Sequence, residues 1–127
     1  IGMILELKVE GIGNEACAIV KRTGFPGPLI YASFLMPELQ RVRQTDPDAK
    51  IMVLQHRRLP PDPVADVVAL DASHVGLHFS TVTPMLLQTY HNLGRQVFVC
   101  TVNEPQDIQR MRNLGVDGII SDFPDRI

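Results

Sequence analysis

Six short apolar runs recur along this chain roughly two dozen residues apart, and the segments between them carry apolar residues at helical spacing. The clearest unit lies near the C-terminus. Val97-Phe98-Val99 leads into Cys100-Thr101-Val102-Asn103, and Glu104-Pro105 opens a segment with Ile108, Met111 and Leu114. Gly115 ends that segment, and Ile119-Ile120 begins another run tipped by Ser121-Asp122. A strand with no polar face must be covered on both sides, which is the condition of a strand in a parallel sheet wrapped by helices. The tips at Asn103 and Asp122 then fall at the carboxyl ends of strands, where α/β proteins place their ligands.

The same alternation reads through the rest of the chain. Strands are predicted over residues 3–8, 29–34, 50–55, 75–79, 97–102 and 119–120. Asn14 is a candidate cap for a helix bearing Ala16, Ile19 and Val20, with Gly24 as its stop. Pro37 suits the first turn of a helix with Leu39 and Val42, which must end before Asp46-Pro47. Asp62-Pro63 precedes Val64, Val67 and Val68; Thr83-Pro84 precedes Leu86, Leu87, Tyr90 and Leu93, closed by Gly94. Six consecutive strand–helix units fit two architectures, an open doubly wound sheet or a stretch of an eight-unit barrel. No dinucleotide-type Gly-rich loop follows any strand, which weakens the first. A whole barrel takes about 250 residues. On the barrel reading, this chain of 127 residues, one domain over residues 1–127, is an incomplete α/β TIM (β/α)8 barrel that holds strands three to eight and lacks the first two.

Composition narrows the function classes. With 45% hydrophobic and 20% charged residues and a formal net charge of -2, the profile is that of a globular domain without the basic excess that nucleic acid demands. No apolar run reaches the roughly 18 residues needed to span a bilayer. The first residues already read as a strand, so the start of the gene product and any targeting signal are expected upstream; the working expectation is a cytoplasmic protein. Cys17 and Cys100 lie far apart and read as small buried hydrophobes rather than a disulfide, with Cys100 close enough to a strand tip to line a site.

Two residues apart on a strand, Glu6 and Lys8 point to the same side. At a carboxyl end the carboxylate could hold a hard divalent cation through oxygen, and the ammonium could offset a phosphate oxygen. The same spacing also describes a solvated ion pair, and spacing leaves both open. The other tips are Ser33-Phe34, Gln55, His78, Asn103 and Asp122. Ser33 serves either a ligand or the neighbouring backbone, and Asn103 can also cap the following helix. His56, His74, His78 and His91 show no metal-ligand spacing, so no zinc site is expected. His78 is the one to watch at a strand end, although a structural role outweighs a catalytic one; His91 is expected in solvent.

Leu5-Glu6-Leu7-Lys8, Ser33-Phe34, Thr101-Val102-Asn103-Glu104-Pro105 and Gly115-Val116-Asp117-Gly118-Ile119-Ile120-Ser121-Asp122-Phe123-Pro124 follow one another at barrel spacing. In combination they resemble the C-terminal part of the glycerophosphodiester phosphodiesterase family, metal-dependent (β/α)8-barrel enzymes. The resemblance implies that Glu6 is a ligand of a divalent metal (Mg²⁺ or Ca²⁺) and that Lys8 is a catalytic phosphate contact. It also implies that Ser33, Phe34, Cys100 and Asn103 lie along the substrate and that Asp122 clamps a loop. Most family members carry tryptophan where this chain has Cys100, so the pocket wall differs here. The family's His-Arg-Gly, His-Asp and Glu-x-Asp segments do not occur in this chain. The implied activity is hydrolysis of a glycerophosphodiester, such as glycerophosphocholine, to glycerol 3-phosphate and an alcohol. There the metal polarises the phosphate, and paired histidines act as acid and base. The 127 residues alone are expected to be inactive, to meet a small-molecule phosphodiester and no nucleic acid, to carry no transmembrane segment, and to self-associate through open sheet edges. Competing readings are a non-catalytic binding or assembly module of the same barrel and an unrelated doubly wound α/β enzyme.

Overall fold

Each strand of the sheet pairs with the strand that follows it in the chain. A computed structural model describes residues 1–127. It contains β1 (Met3–Glu6), β2 (Leu29–Ser33), β3 (Lys50–Leu54), β4 (His74–His78), β5 (Gln96–Cys100) and β6 (Gly118–Ile119), all parallel and in that spatial order. Between them run α1 (Gly13–Thr23), α2 (Met36–Thr45), α3 (Ala65–Ala69), α4 (Pro84–Asn92) and α5 (Pro105–Leu114). A doubly wound sheet reverses its strand order at a switch point. This one never reverses, which removes the doubly wound alternative. The register adds the stagger that barrel closure requires. One row of partners starts at Glu6, the last residue of β1, and passes through Ala32, Met52 and His74 to Gln96, the first residue of β5. The sheet is a curled, incomplete (β/α)8 barrel.

The outer face is covered by the helices, and the concave face is filled at its centre and open at β1. Outward-facing Tyr31, Ile51, Val53, Val75, Leu77, Val97 and Val99 form one core with Leu39 and Val42 of α2, Tyr90 of α4, and Ile108 and Met111 of α5. The concave face carries a smaller cluster of Ala32, Met52 and Leu54, flanked by Ile30 and Phe98. Two glycines make room inside it. A Cβ on Gly76 would lie 2.5 Å from a Leu54 methyl, and one on Gly118 would lie 2.7 Å from the Phe98 ring. Large side chains on one strand thus fill the space that a bare backbone leaves on the next.

Helix ends follow the expected chemistry in part: Asp62 accepts from the Val64 N–H at 3.2 Å, but α3 starts only at Ala65, without a side-chain cap. Gly24 and Gly115 close α1 and α5 in the left-handed conformation, and Thr83 Oγ1 caps α4 by accepting from the Leu86 N–H at 3.1 Å. Asn14 does not cap α1, which begins one residue before it; its side-chain oxygen instead accepts from the Thr45 hydroxyl at 3.0 Å. The free N–H groups at that helix start go to Glu38 of α2, a stronger acceptor supplied from across the packing interface. Strand ends also come earlier than the apolar runs. β1 stops at Glu6, with Lys8 beyond the ladder, and Phe79 enters a short 3₁₀ turn instead of extending β4. β1 and β6 have a neighbour on one side only, so each presents an unpaired edge.

Candidate active site

The strands all point one way, so their carboxyl ends form a single rim. Glu6 and Lys8 stand at the β1 end of it, with Lys8 Nζ 3.9 Å from Glu6 Oε2, the lysine well exposed and the glutamate about a third exposed. Across the concavity lies Cys100 at the end of β5, its Sγ donating weakly to the Leu77 carbonyl at 3.7 Å. Burial pushes the Cys100 thiol up, and the negative charge of Glu6 pushes it further in the same direction. Two strand ends four strands apart therefore share one electrostatic environment, a direct consequence of the curl of the sheet.

Between them a cavity of about 230 Å³ is lined by Phe34, His56, Arg57, His78, Cys100 and Thr101, with Gln55 at its base. The Phe34 ring stacks on His56, centroids 4.5 Å apart and 23° from parallel. His78 and Cys100 are register partners on β4 and β5 and so project to the same face. His78 Nδ1 accepts from the Ser80 N–H at 3.2 Å and lies 2.7 Å from the Ser80 hydroxyl, which leaves the ring proton on Nε2. Gln55 is committed to structure: its amide donates to the Pro63 carbonyl and accepts from the Tyr90 hydroxyl at 3.2 Å. Burial raises the Tyr90 hydroxyl to about 12, with the Gln55 bond acting against it. A larger open concavity of about 610 Å³ runs along α5 between Pro105 and Leu114, away from the strand ends.

The residues singled out from the sequence divide into two groups. Glu6, Lys8, Phe34 and Cys100 present side chains around the rim. Ser33 and Asn103 spend theirs holding the rim together. Fully buried Ser33 donates to the Leu7 carbonyl at 2.7 Å and accepts from the Leu35 N–H at 2.9 Å, fixing the turn that carries Phe34. Asn103 accepts from the Asp122 N–H at 3.0 Å and the Ser121 hydroxyl at 3.2 Å, and donates to Asp122 Oδ2 at 3.0 Å. Its carbonyl accepts from Arg126 at 2.9 Å, so the tips of β5 and β6 are latched as one unit.

No group of three or more histidine, cysteine or carboxylate side chains in this chain is placed to hold a metal ion. Glu6 offers one carboxylate, with Lys8 beside it.

The sequence pattern points to no role for Glu38 or Arg57, and His56 figures in it only as a histidine without metal-ligand spacing. Glu38 is fully buried and accepts from the Gly11, Ile12 and Gly13 N–H groups at 2.7, 3.0 and 2.8 Å, with Arg41 beside it. Burial alone would raise its carboxyl, but the Gly11 and Gly13 amides, the Arg41 guanidinium and the Ile12 amide outweigh that and hold it below the ordinary range. This clamp shapes the loop just beyond Lys8. The signal was the Gly11-x-Gly13 spacing, which leaves bare backbone for a carboxylate to approach. For His56 and Arg57 the signal was their position immediately after a strand end.

The sequence profile of the "Glycerophosphoryl diester phosphodiesterase family" matches residues 5–126. A glycerophosphodiester phosphodiesterase of Caldanaerobacter subterraneus is 28% identical over 117 residues, covering 92% of this chain and 48% of that protein. Among solved structures, an Oleispira antarctica phosphodiesterase in complex with the product sn-glycerol-3-phosphate superimposes with a TM-score of 0.87 at 24% identity, covering 100% of this chain and 53% of the other. A glycerophosphodiester phosphodiesterase from Parabacteroides distasonis gives 0.81 at 24% identity, with 96% and 53% covered. The last two likenesses bear on the fold. The chain spans about half the length of the relatives it matches.

Proposed function

The chain belongs to the glycerophosphoryl diester phosphodiesterase family, and from that membership we propose that the complete protein cleaves a glycerophosphodiester to glycerol 3-phosphate and an alcohol. The observation that carries the proposal is the Glu6–Lys8 pair at the carboxyl end of β1, on the same strand-end rim as the cavity of Phe34, His78 and Cys100. In that reading Lys8 places a positive charge against a phosphoryl oxygen, favouring the state in which negative charge builds there. Phe34 and Cys100 form the wall along the substrate, while Ser33 and Asn103 keep the rim in shape. Glu6 would hold a divalent cation, Mg²⁺ or Ca²⁺, through one carboxylate, with the remaining ligands that the resemblance puts outside these residues. When bound, such an ion polarises the phosphoryl group. Proton transfer to the leaving alcohol also needs an acid that the resemblance puts outside these residues, so the 127-residue chain by itself should show no turnover.

The test is release of glycerol 3-phosphate from a glycerophosphodiester by the complete protein, with Mg²⁺ or Ca²⁺ and again after chelation. Turnover that chelation abolishes and added metal restores is expected. Turnover indifferent to chelation would remove the metal from this reading, and no turnover of any diester would remove the activity.

A further inference from the structure

Lys8 leaves the sheet on a segment that is pinned on both sides. Before it, the Leu7 N–H extends the ladder by donating to the Ala32 carbonyl at 2.8 Å, and the Leu7 carbonyl accepts from the Ser33 hydroxyl at 2.7 Å. After it, Gly11 at φ 84° and Ile12 at φ -105° turn three successive N–H groups toward one point, a concavity suited to an anion. The protein fills it with the Glu38 carboxylate, which accepts from Gly11, Ile12 and Gly13 at 2.7, 3.0 and 2.8 Å. Both anchors belong to one corner of the fold. Ser33 Oγ also accepts from the Leu35 N–H at 2.9 Å, and Glu38 stands fully buried in the first turn of α2 with the Arg41 guanidinium against it. Lys8, Val9 and Glu10 are all that lies between the anchors. The Lys8 side chain is itself exposed, so the point from which its flexible stem reaches out is set by that short backbone span.

We propose that Glu38 is a positioning residue for the reaction: by clamping Gly11 to Gly13 it holds the Lys8 backbone, and with it the ammonium, where a phosphoryl oxygen is met. This inference rests on the phosphodiesterase reading of the site. A buried carboxylate that holds a loop stabilises the fold whatever the loop does; a positioning role adds that its loss acts on turnover through Lys8. A loss of folded protein, by contrast, lowers turnover by one factor whether or not Lys8 is present.

The test is a double-mutant cycle in the complete protein, comparing wild type, Glu38→Gln, Lys8→Met and the double variant. Glycerol 3-phosphate release from a glycerophosphodiester is followed with Mg²⁺ or Ca²⁺, well below the melting transition of each protein. Glu38→Gln should lower kcat about tenfold with KM nearly unchanged, as expected when a group that acts in the transition state is displaced. In the Lys8→Met background the same substitution should change kcat by less than about twofold, because the group it positions is gone. An equal factor in both backgrounds, or an unchanged kcat in Glu38→Gln, would overturn the inference and leave the phosphodiesterase reading standing. If Glu38→Gln does not fold, Gly13→Ala replaces it in the cycle. A Cβ there would lie 2.9 Å from the Glu38 carbonyl oxygen and 3.2 Å from Oε2, which disturbs the clamp and keeps its charge, and the same outcomes decide. No turnover of any diester by the wild type would overturn both.

Discussion

Lys8 and Glu38 work at opposite ends of one short loop, and they answer to different physics. Lys8 is solvated, so its ion pair with Glu6 adds little to stability. In the proposed site its charge would serve catalysis, and Lys8→Met in the complete protein should then depress turnover on the order of 10²-fold with the melting temperature unchanged. A change within twofold would return Lys8 to the role of a surface ion pair. Glu38 is the reverse case. Its carboxyl titrates below the ordinary value, so the stability it confers is fully present above the unfolded pKa and is lost as pH falls through the folded one. Glu38→Gln should cost roughly 2 kcal/mol near neutrality, because a carboxylate that serves three N–H groups is replaced by an amide that cannot match them. In chemical denaturation the gap between the two proteins should close as pH drops below about 4. A gap that holds in acid would mean that packing, not charge, carries the contribution.

Among the elements, the inner face of the sheet has the least room. Gly76→Ala places a Cβ 2.5 Å from the Leu54 side chain, deep in the concave face, and should destabilise by about 1–3 kcal/mol as overpacking. Thermal unfolding of the pair decides it, and an unchanged midpoint would show that Leu54 yields freely. The same elements show which parts of the fold were legible. β5 and α5 follow from Val97-Phe98-Val99, Pro105 and Gly115, because each residue acts on its own segment. The order of the sheet does not follow from the strand pattern, which fits two architectures, since strand order depends on pairings between units that no local pattern records; the family resemblance points to the barrel, and the strand order bears it out. The cap of α1 was placed on Asn14 because capping rules look one turn ahead, and the true acceptor comes from another helix. The rim was legible where it rests on residue type at a strand end, as at Glu6, and illegible where it depends on partners. The commitment of Asn103 to Asp122 appears only once the strands are side by side.

At the scale of the whole molecule, unpaired backbone along β1 and β6 faces solvent at both ends of the sheet, with Ile4 on β1 at 40% exposure. Such edges of a parallel sheet favour association. The 127-residue chain on its own should therefore run as a dimer or larger in size-exclusion chromatography with light scattering, and a monodisperse monomer would contradict this. The central claim is that the end of β1 belongs to a phosphodiesterase site. The most direct measurement is glycerol 3-phosphate release by the complete protein, wild type against Glu6→Gln, at saturating Mg²⁺ or Ca²⁺ with both proteins shown to be folded. The substitution removes one charged oxygen at nearly constant volume. A loss of about 10²-fold or more is expected; near-equal turnover would place the site elsewhere.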